Sequence, residues 1–182
     1  MGFCFILIVG EIKQELLKTM ITTKGRSIYD ISYHKPCLLI FLRHFGCMFC
    51  REALHDLKIL QQNPLKNEFE IVLVHMSSMS IAENFFKKMD LDDIENISDP
   101  DCELYQSFGL TKGTFNQLFG FRSWIRGFDA GLVKGHGFGV LLGDGFQMPG
   151  VFTIQNGKVT NSFIHKYSSD KPDYLQLALQ SN

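Results

Sequence analysis

The sequence predicts one α/β domain around a mixed β-sheet, and three observations carry that prediction. Continuous apolar runs at residues 37–42 and 69–75 have the length and composition of strands buried on both faces of a sheet. Segments with apolar residues at helical spacing follow each run. Asn156-Gly157 separates two further apolar runs, and this dipeptide is a strong hairpin signal whose flanking strands must be antiparallel.

The predicted elements alternate between helical and extended segments along the chain. In order they are a helix at 11–20, a half-buried extended segment at 26–32, a strand at 37–42, a helix from 47, a strand at 69–75, a helix at 80–90, an extended segment at 96–100, helices at 101–108 and 115–125, a hairpin at 151–165 and a terminal helix from 170. Asn63-Pro64 should end the helix from 47, because proline cannot continue a helix. Ser80 and Asp170 are predicted N-caps.

Length and charge limit the possible functions. The chain has 182 residues and carries 18 Lys and Arg against 19 Asp and Glu, which leaves a formal charge of −1. This length fits one domain with a substantial core. Because the charge is near neutral and the basic residues are scattered, we expect no nucleic-acid partner.

The composition also predicts the compartment. The apolar stretch at 2–10 is about half as long as a membrane-spanning helix and has no basic segment before it, so we expect no membrane association. Five cysteines, an odd and unevenly placed set, fit a reducing compartment better than a disulfide scaffold. The sequence therefore predicts a cytoplasmic protein whose thiol chemistry is transient.

No repeat and no Pro/Ser-rich linker divides the chain, so residues 1–182 are predicted to form a single domain. Residues 1–21 form an N-terminal extension. Ten of the sixteen glycines fall within 113–150, which indicates a Gly- and aromatic-rich insertion with irregular backbone. We expect this insertion to face a substrate or partner.

Two cysteines stand at the predicted junction between a strand and a helix. Unpaired backbone N–H groups and the helix dipole stabilise a thiolate in a first helical turn, which predicts Cys47 as the nucleophile. Cys50 lies one turn later on the same face, where its sulfur can attack an oxidised Cys47. Arg43, His44 and Arg51 surround the pair with charge that favours the thiolate. The spacing therefore predicts a redox-active cysteine pair.

Two other interpretations of these cysteines remain open. His44, Cys47 and Cys50 have the donor atoms of a metal site, although a structural zinc site normally has four ligands. The pair can also be buried and inert. Cys102 is an alternative resolving thiol, but this cysteine and Cys37 are more typical of small core residues. We expect no metal and no other cofactor.

Three segments resemble a known family. They are LIFLRHFGCMFCREAL at 39–54, the region from SDPD to GL at 98–110, and GDGFQMPGVF at 143–152. In these segments the chain is similar to the peroxiredoxin-like branch of the alkyl hydroperoxide reductase and thiol-specific antioxidant (AhpC/TSA) family, and the resemblance spans roughly residues 22–180. It implies a thioredoxin-like fold, with a central mixed sheet flanked by helices, and antioxidant oxidoreductase activity. A thioredoxin- or glutaredoxin-like external dithiol would be the reductant.

The resemblance also implies a role for Met148-Pro149. This dipeptide is similar to the thioredoxin-fold proline that precedes a strand opposite the cysteines, and the family's proline is cis. A cis bond there would expose backbone for an extended substrate, whereas an ordinary trans turn proline is the alternative.

Other positions depart from the family. Ile40 and His44 stand where peroxiredoxins have the Pro and Thr that precede the peroxidatic cysteine, so the hydroxyl that positions peroxide is missing. Pro149-Gly150 stand where those enzymes place an arginine. Arg43, Arg51, Arg122 and Arg126 are the candidate replacements, and a solvated arginine is the more common state for each.

These observations give one leading hypothesis and two alternatives. In the leading one, Cys47 attacks a hydroperoxide or a disulfide, Cys50 closes an intramolecular disulfide, and an external dithiol resets the pair. One alternative is a disulfide oxidoreductase without peroxidase activity. The other is a non-enzymatic binding module with the 113–150 insertion as its contact surface.

Overall fold

A mixed five-stranded sheet organises the chain. The computed structural model describes residues 12–114 and 145–180. The strands lie in the order β3-β2-β1-β4-β5, with β1, β2 and β3 parallel to one another and β4 antiparallel to both β1 and β5. The elements are α1 (Gln14–Thr19), α2 (Ile28–His34), β1 (Cys37–Phe41), α3 (Met48–Leu60), β2 (Glu70–His75), α4 (Met79–Lys88), β3 (Glu95–Ser98), α5 (Glu103–Ser107), β4 (Gly150–Gln155), β5 (Lys158–Ile164) and α6 (Tyr174–Leu179), with a 3-10 turn at Pro64–Glu68.

Two hydrophobic cores cover the two faces of the sheet. Side chains of β1 alternate between them: Leu38 and Ile40 pack with α3, α4 and α6, whereas Leu39 and Phe41 pack with α1, α2 and α5. All five residues of β1 are buried. This double burial explains why β1 is a continuous apolar run.

The sequence predicts the central elements correctly. The strands β1 and β2 and the helix α3 form where the apolar runs and the cysteine pair indicate. Asn156 and Gly157 both have positive φ values, 52° and 69°, as the two-residue turn between β4 and β5 requires. The mixed sheet between helices confirms the predicted fold class.

The prediction for residues 26–32 is wrong, because residues 28–34 form the helix α2. Ser27 caps this helix by accepting a hydrogen bond from the backbone N–H of Asp30 at 3.0 Å. Ile28 and Ile31 are both buried, and their spacing of three residues fits one face of a helix rather than one face of a strand.

Two predicted caps and one predicted face also need correction. α4 begins after Ser78, so Ser80 lies inside its first turn. Ala82 and Phe86 are its fully buried residues, and the predicted Phe85 and Met89 are partly buried against the same core, whereas Ile81 is exposed. Asp173 caps α6 by accepting from the N–H of Gln176. Asp170 instead accepts from the N–H groups of Lys166 and Tyr167 in the preceding loop.

Some predictions fall outside the described residues. They include most of the 113–150 insertion with its predicted helix at 115–125, and residues 1–11 of the N-terminal extension. Within 12–114 and 145–180, no helix has the length and apolar character needed to cross a membrane.

Tyr105 joins the carboxyl ends of β1 and β2, where the cysteine loop begins. Its hydroxyl donates to the carbonyl of Leu42 at 2.6 Å and to that of Val74 at 3.1 Å. Burial raises the pKa of Tyr105, so the hydroxyl remains a donor. The Asp99 carboxylate accepts from the N–H groups of Glu103, Leu104 and Tyr105 itself, which fixes α5 in place.

We expect Tyr105→Phe to lower the free energy of unfolding by about 1–2 kcal/mol, because the buried Leu42 carbonyl loses a hydrogen-bond donor. Urea unfolding followed by circular dichroism measures the change. Tyr29→Phe is the matched control, since its exposed hydroxyl bonds only to that of Tyr33 among the described contacts and should change stability by less than about 0.5 kcal/mol. Equal losses in the two variants would contradict this role of Tyr105.

Candidate active site

Cys47 is the N-cap residue of α3. Its backbone is extended (φ −77°, ψ 127°), and its carbonyl accepts the first helical hydrogen bond, from the N–H of Arg51 at 3.2 Å. The first turn of α3 contains no acidic residue. The Cys47 sulfur therefore lies at the positive end of a 13-residue helix, as the sequence predicts.

Arg43 makes a direct contact with the Cys47 sulfur. Its Nη1 donates to Cys47 Sγ at 3.2 Å, and its Nη2 donates to the carbonyl oxygen of Gly145 at 2.5 Å. Only 5% of Arg43 is exposed, so the expectation of a solvated arginine is wrong for this residue. A buried guanidinium held against a thiol stabilises the thiolate more strongly than a solvated one does.

Cys50 is a buried thiol with a different electrostatic environment. Burial raises its pKa, and negative charge on Cys47 raises it further, while the guanidinium groups of Arg43 and Arg51 oppose this effect. Both Cys47 and Cys50 are free thiols, and they are 7% and 4% exposed. The environment of Cys50 therefore disfavours its thiolate form.

His44 and Arg51 flank the cysteines through backbone contacts. The His44 carbonyl accepts from the N–H of Cys47 at 3.0 Å and so shapes the turn into α3. Arg51 Nε donates to the Phe45 carbonyl at 3.5 Å. The structure brings both predicted residues to the site, beside the contact of Arg43 with the Cys47 sulfur.

Pro149 lies near the cysteines, but its peptide bond is not cis. No peptide bond within 12–114 or 145–180 is cis, so the implied cis Met148–Pro149 bond is wrong. The Pro149 carbonyl accepts from the backbone N–H of His165 at 3.4 Å, which continues the pairing of β4 with β5. That oxygen is therefore used within the protein. Met148 is buried, and Pro149 lines the same cavity as Cys50.

The remaining described cysteines pack away from the pair. Cys37 and Cys102 belong to the core with α1, α2 and α5, whereas Cys47 and Cys50 belong to the core with α3 and α4. The described part of the chain contains no group of three or more His, Cys, Asp or Glu side chains placed to hold a metal ion.

An aromatic cluster supports the turn before Cys47. The ring of Phe45 stacks on that of Phe85, with centroids 4.2 Å apart and planes at 10°. His75 and Phe86 contact the same Phe45 ring at centroid distances of 5.6 and 5.4 Å. The loop that positions Cys47 therefore has a rigid apolar support.

Sequence reasoning missed the carbonyl of Gly145 and the segment after β5. Gly145 is 102 residues from Arg43 in sequence and contributes a backbone atom, which leaves no side-chain signal. His165, Asp170 and Lys171 line the cavity beside Cys50. In the sequence, only the polar character of the segment between the hairpin and the last helix points to these three residues.

Comparison with known proteins identifies the fold class. No protein-family model and no curated protein matches the chain. Among solved structures, PrxQ of Xylella fastidiosa has a TM-score of 0.60 at 12% identity over 86% of this chain and 85% of that one. The bacterioferritin comigratory protein of Xanthomonas campestris, studied for alkyl peroxide reduction, has a TM-score of 0.57 at 16% identity over 86% and 87%.

A third structure belongs to another thiol class. It is a thiol:disulfide interchange protein, DsbE, assigned in Chlorobium tepidum, with a TM-score of 0.50 at 17% identity over 80% of this chain and 78% of that one. The structural neighbours are thus thioredoxin-like proteins, with peroxiredoxin Q proteins prominent among them. This confirms the thioredoxin-like fold predicted from the resemblance.

We expect Arg43→Met to slow alkylation of Cys47 by iodoacetamide at pH 7 by roughly 10- to 100-fold, because a charge-assisted hydrogen bond to the thiolate is lost. The comparison is made in a Cys50→Ser background, so that Cys47 is the only thiol of the pair. Arg51→Met should slow the reaction by less than about threefold, since the Nε of Arg51 bonds a carbonyl. Similar rates for Arg43→Met and its parent would contradict the contact.

Proposed function

We propose that this chain is a peroxiredoxin-like thiol peroxidase in which Cys47 is the peroxide-reactive thiolate and Cys50 the resolving thiol. The observation that carries the proposal is the buried Arg43 guanidinium, which donates to the sulfur of the cysteine that begins α3. Helix N-terminus and guanidinium together favour a nucleophilic thiolate. The thioredoxin-like fold shared with peroxiredoxin Q proteins supports the same chemistry.

In the first step, the Cys47 thiolate attacks one oxygen of a hydroperoxide. An S–O bond forms, the O–O bond breaks, and the alkoxide or hydroxide that leaves takes a proton from solvent. Cys47 becomes a sulfenic acid and the peroxide is reduced by two electrons. The Arg43 N–H groups face the reacting sulfur and stabilise negative charge that moves onto the departing oxygen.

In the second step, Cys50 attacks the oxidised sulfur. The S–S bond forms, the S–O bond of the sulfenic acid breaks, and hydroxide leaves with a proton as water. Because charge on Cys47 raises the pKa of Cys50, conversion of the thiolate to a neutral sulfenic acid removes one barrier to ionising Cys50. The resolving thiol is thereby activated only after the first step.

Two electrons must then return to the pair. An external dithiol of the thioredoxin or glutaredoxin type supplies them by attacking one sulfur of the disulfide and releasing two thiols from this protein. Cys47 is the slightly more exposed of the two cysteine residues and is the expected point of attack.

A disulfide oxidoreductase is the second candidate function. It is favoured by the likeness to the DsbE structure and by the absence of the peroxide-positioning hydroxyl, since His44 occupies that place. In this case Cys47 attacks a disulfide sulfur rather than a peroxide oxygen, and Cys50 closes the same internal disulfide.

We expect one equivalent of hydrogen peroxide to remove two thiols from the reduced protein and lower its intact mass by two hydrogens. Cys50→Ser should instead accumulate a Cys47 sulfenic acid that dimedone traps, and Cys47→Ser should react no faster than free cysteine. Intact-mass spectrometry and thiol counting over time make the measurement.

The outcomes separate the candidate functions. Rapid oxidation by a disulfide together with slow oxidation by peroxide would favour the disulfide oxidoreductase. If neither oxidant reacts with Cys47, the thiol chemistry is refuted and the binding-module alternative takes its place.

A further inference from the structure

Two short segments of chain, 110–113 and 145–148, pair with each other beside the site. They form an isolated antiparallel bridge. The backbone N–H of Gly113 donates to the Phe146 carbonyl at 2.7 Å, and a second bond, from the N–H of Met148, is longer at 3.3 Å. Because so few backbone bonds make a weak pairing, its rigidity depends on side chains.

The side chain of Gln147 supplies that reinforcement. Only 2% of Gln147 is exposed, and its Nε2 donates to the Leu110 carbonyl at 2.9 Å. The carbonyls of Met148 and Thr111 lie at 3.3 and 3.5 Å from the same nitrogen. Backbone carbonyls are acceptors only, so three of them around one amide group fix its donor side toward them. The amide therefore fastens the two segments together.

The fastened segment carries the backbone oxygen that holds Arg43. The Gly145 carbonyl, two residues before Gln147, accepts from Arg43 Nη2 at 2.5 Å. Nη1 of the same guanidinium donates to Cys47 Sγ at 3.2 Å. A guanidinium is planar and rigid, so a shift of its contact at Nη2 also shifts the N–H at Nη1. The position of Gly145 is therefore transmitted to the Cys47 sulfur.

Leu110, the residue that Gln147 binds, is itself anchored to the sheet. Its N–H donates to the carbonyl of Tyr105 at 2.8 Å. The Tyr105 hydroxyl in turn donates to the carbonyl of Leu42, the residue before Arg43. Arg43 is therefore held from two sides, on one by the chain after β1 and on the other through Gln147.

We propose that Gln147 is a positioning residue for the reacting thiol: its amide holds the Gly145 carbonyl against Arg43, and the guanidinium is thereby held against Cys47. This inference rests on the function proposed above, in which the Cys47 thiolate is the nucleophile. Gln147 acts through Arg43, so its loss should weaken the stabilisation of the thiolate without removing a group that meets the peroxide.

Loss of position and loss of packing change the reactivity of Cys47 in opposite directions. Cys47 is 7% exposed, so a general loosening of the site would uncover its sulfur and speed its alkylation. Displacement of the guanidinium instead lowers the thiolate fraction and slows alkylation, because the thiolate is the reacting form. The sign of the change therefore distinguishes a positioning role from a purely structural one.

The test uses the full-length protein in the Cys50→Ser background, with iodoacetamide as the probe. Alkylation of Cys47 is followed by peptide mass spectrometry from pH 5 to pH 9. Gln147→Met keeps the length of the side chain and removes the donor. Thr153→Val is the matched control, because it removes another buried donor, the hydroxyl that bonds the Leu177 carbonyl at 2.6 Å, from a different part of β4.

We expect Gln147→Met to slow alkylation of Cys47 at pH 7 by about three- to tenfold and to move the midpoint of the pH–rate profile upward by about half a unit to one unit. Thr153→Val should change the rate by less than about twofold. In an Arg43→Met background, Gln147→Met should also change the rate by less than about twofold, because the contact through which Gln147 acts is already gone.

A second measurement leaves Gln147 in place. Coupling between two sites is reciprocal, so Arg43→Met should loosen the bridge just as Gln147→Met loosens the contact with sulfur. We expect the backbone N–H groups of Gly113 and Met148 to exchange with solvent deuterium about threefold faster or more in Arg43→Met than in the parent.

Unchanged or faster alkylation in Gln147→Met overturns the inference, and so does unchanged deuterium exchange in Arg43→Met. An equal slowing by Gln147→Met with and without Arg43 overturns it too, because the effect would then not pass through the guanidinium. None of these outcomes involves peroxide, so the proposed function stands or falls separately, on the reaction of Cys47 with hydrogen peroxide.

Discussion

The contact between the Arg43 guanidinium and the Cys47 sulfur is the interaction on which the site depends. Burying a guanidinium costs free energy unless its N–H groups have hydrogen-bond partners. The partners of the Arg43 guanidinium include the Cys47 sulfur and the Gly145 carbonyl. Its position follows from the fold: β1 ends at Phe41, Tyr105 fixes the Leu42 carbonyl, and Arg43 comes next. The same turn begins α3 at Cys47. The end of β1 therefore positions both Arg43 and Cys47.

The surroundings of the two thiols agree with the different roles that the proposed function gives them. Both cysteines are buried in the same core, but Cys47 has the helix N-terminus and a hydrogen-bonding guanidinium as neighbours, whereas burial raises the pKa of Cys50. Charge on Cys47 raises the pKa of Cys50, which agrees with the proposal that Cys47 reacts first.

Local sequence patterns predicted the parts of this arrangement that depend on neighbouring residues. The buried strand at 37–42, the N-terminal position of Cys47 and the turn at Asn156-Gly157 are of this kind. The sequence pattern places Ile28 and Ile31 in an extended segment, whereas the N-cap at Ser27 begins a helix there. The contact of Arg43 with Gly145 joins residues far apart in sequence, and no periodicity encodes it. The cis proline was implied by the family resemblance alone, and the Met148–Pro149 bond is trans.

The central claim is that the protein environment makes Cys47 a peroxide-reactive thiolate. The most direct test is the second-order rate constant of reduced Cys50→Ser with hydrogen peroxide at pH 7, compared with that of free cysteine after correction for the thiolate fraction of each. If preorganised donors stabilise the departing oxygen, the corrected constant should exceed that of free cysteine by roughly 100-fold or more. Equal corrected rate constants would contradict this claim. They would mean that Arg43 and α3 favour the thiolate form of Cys47 but do not accelerate its reaction with peroxide.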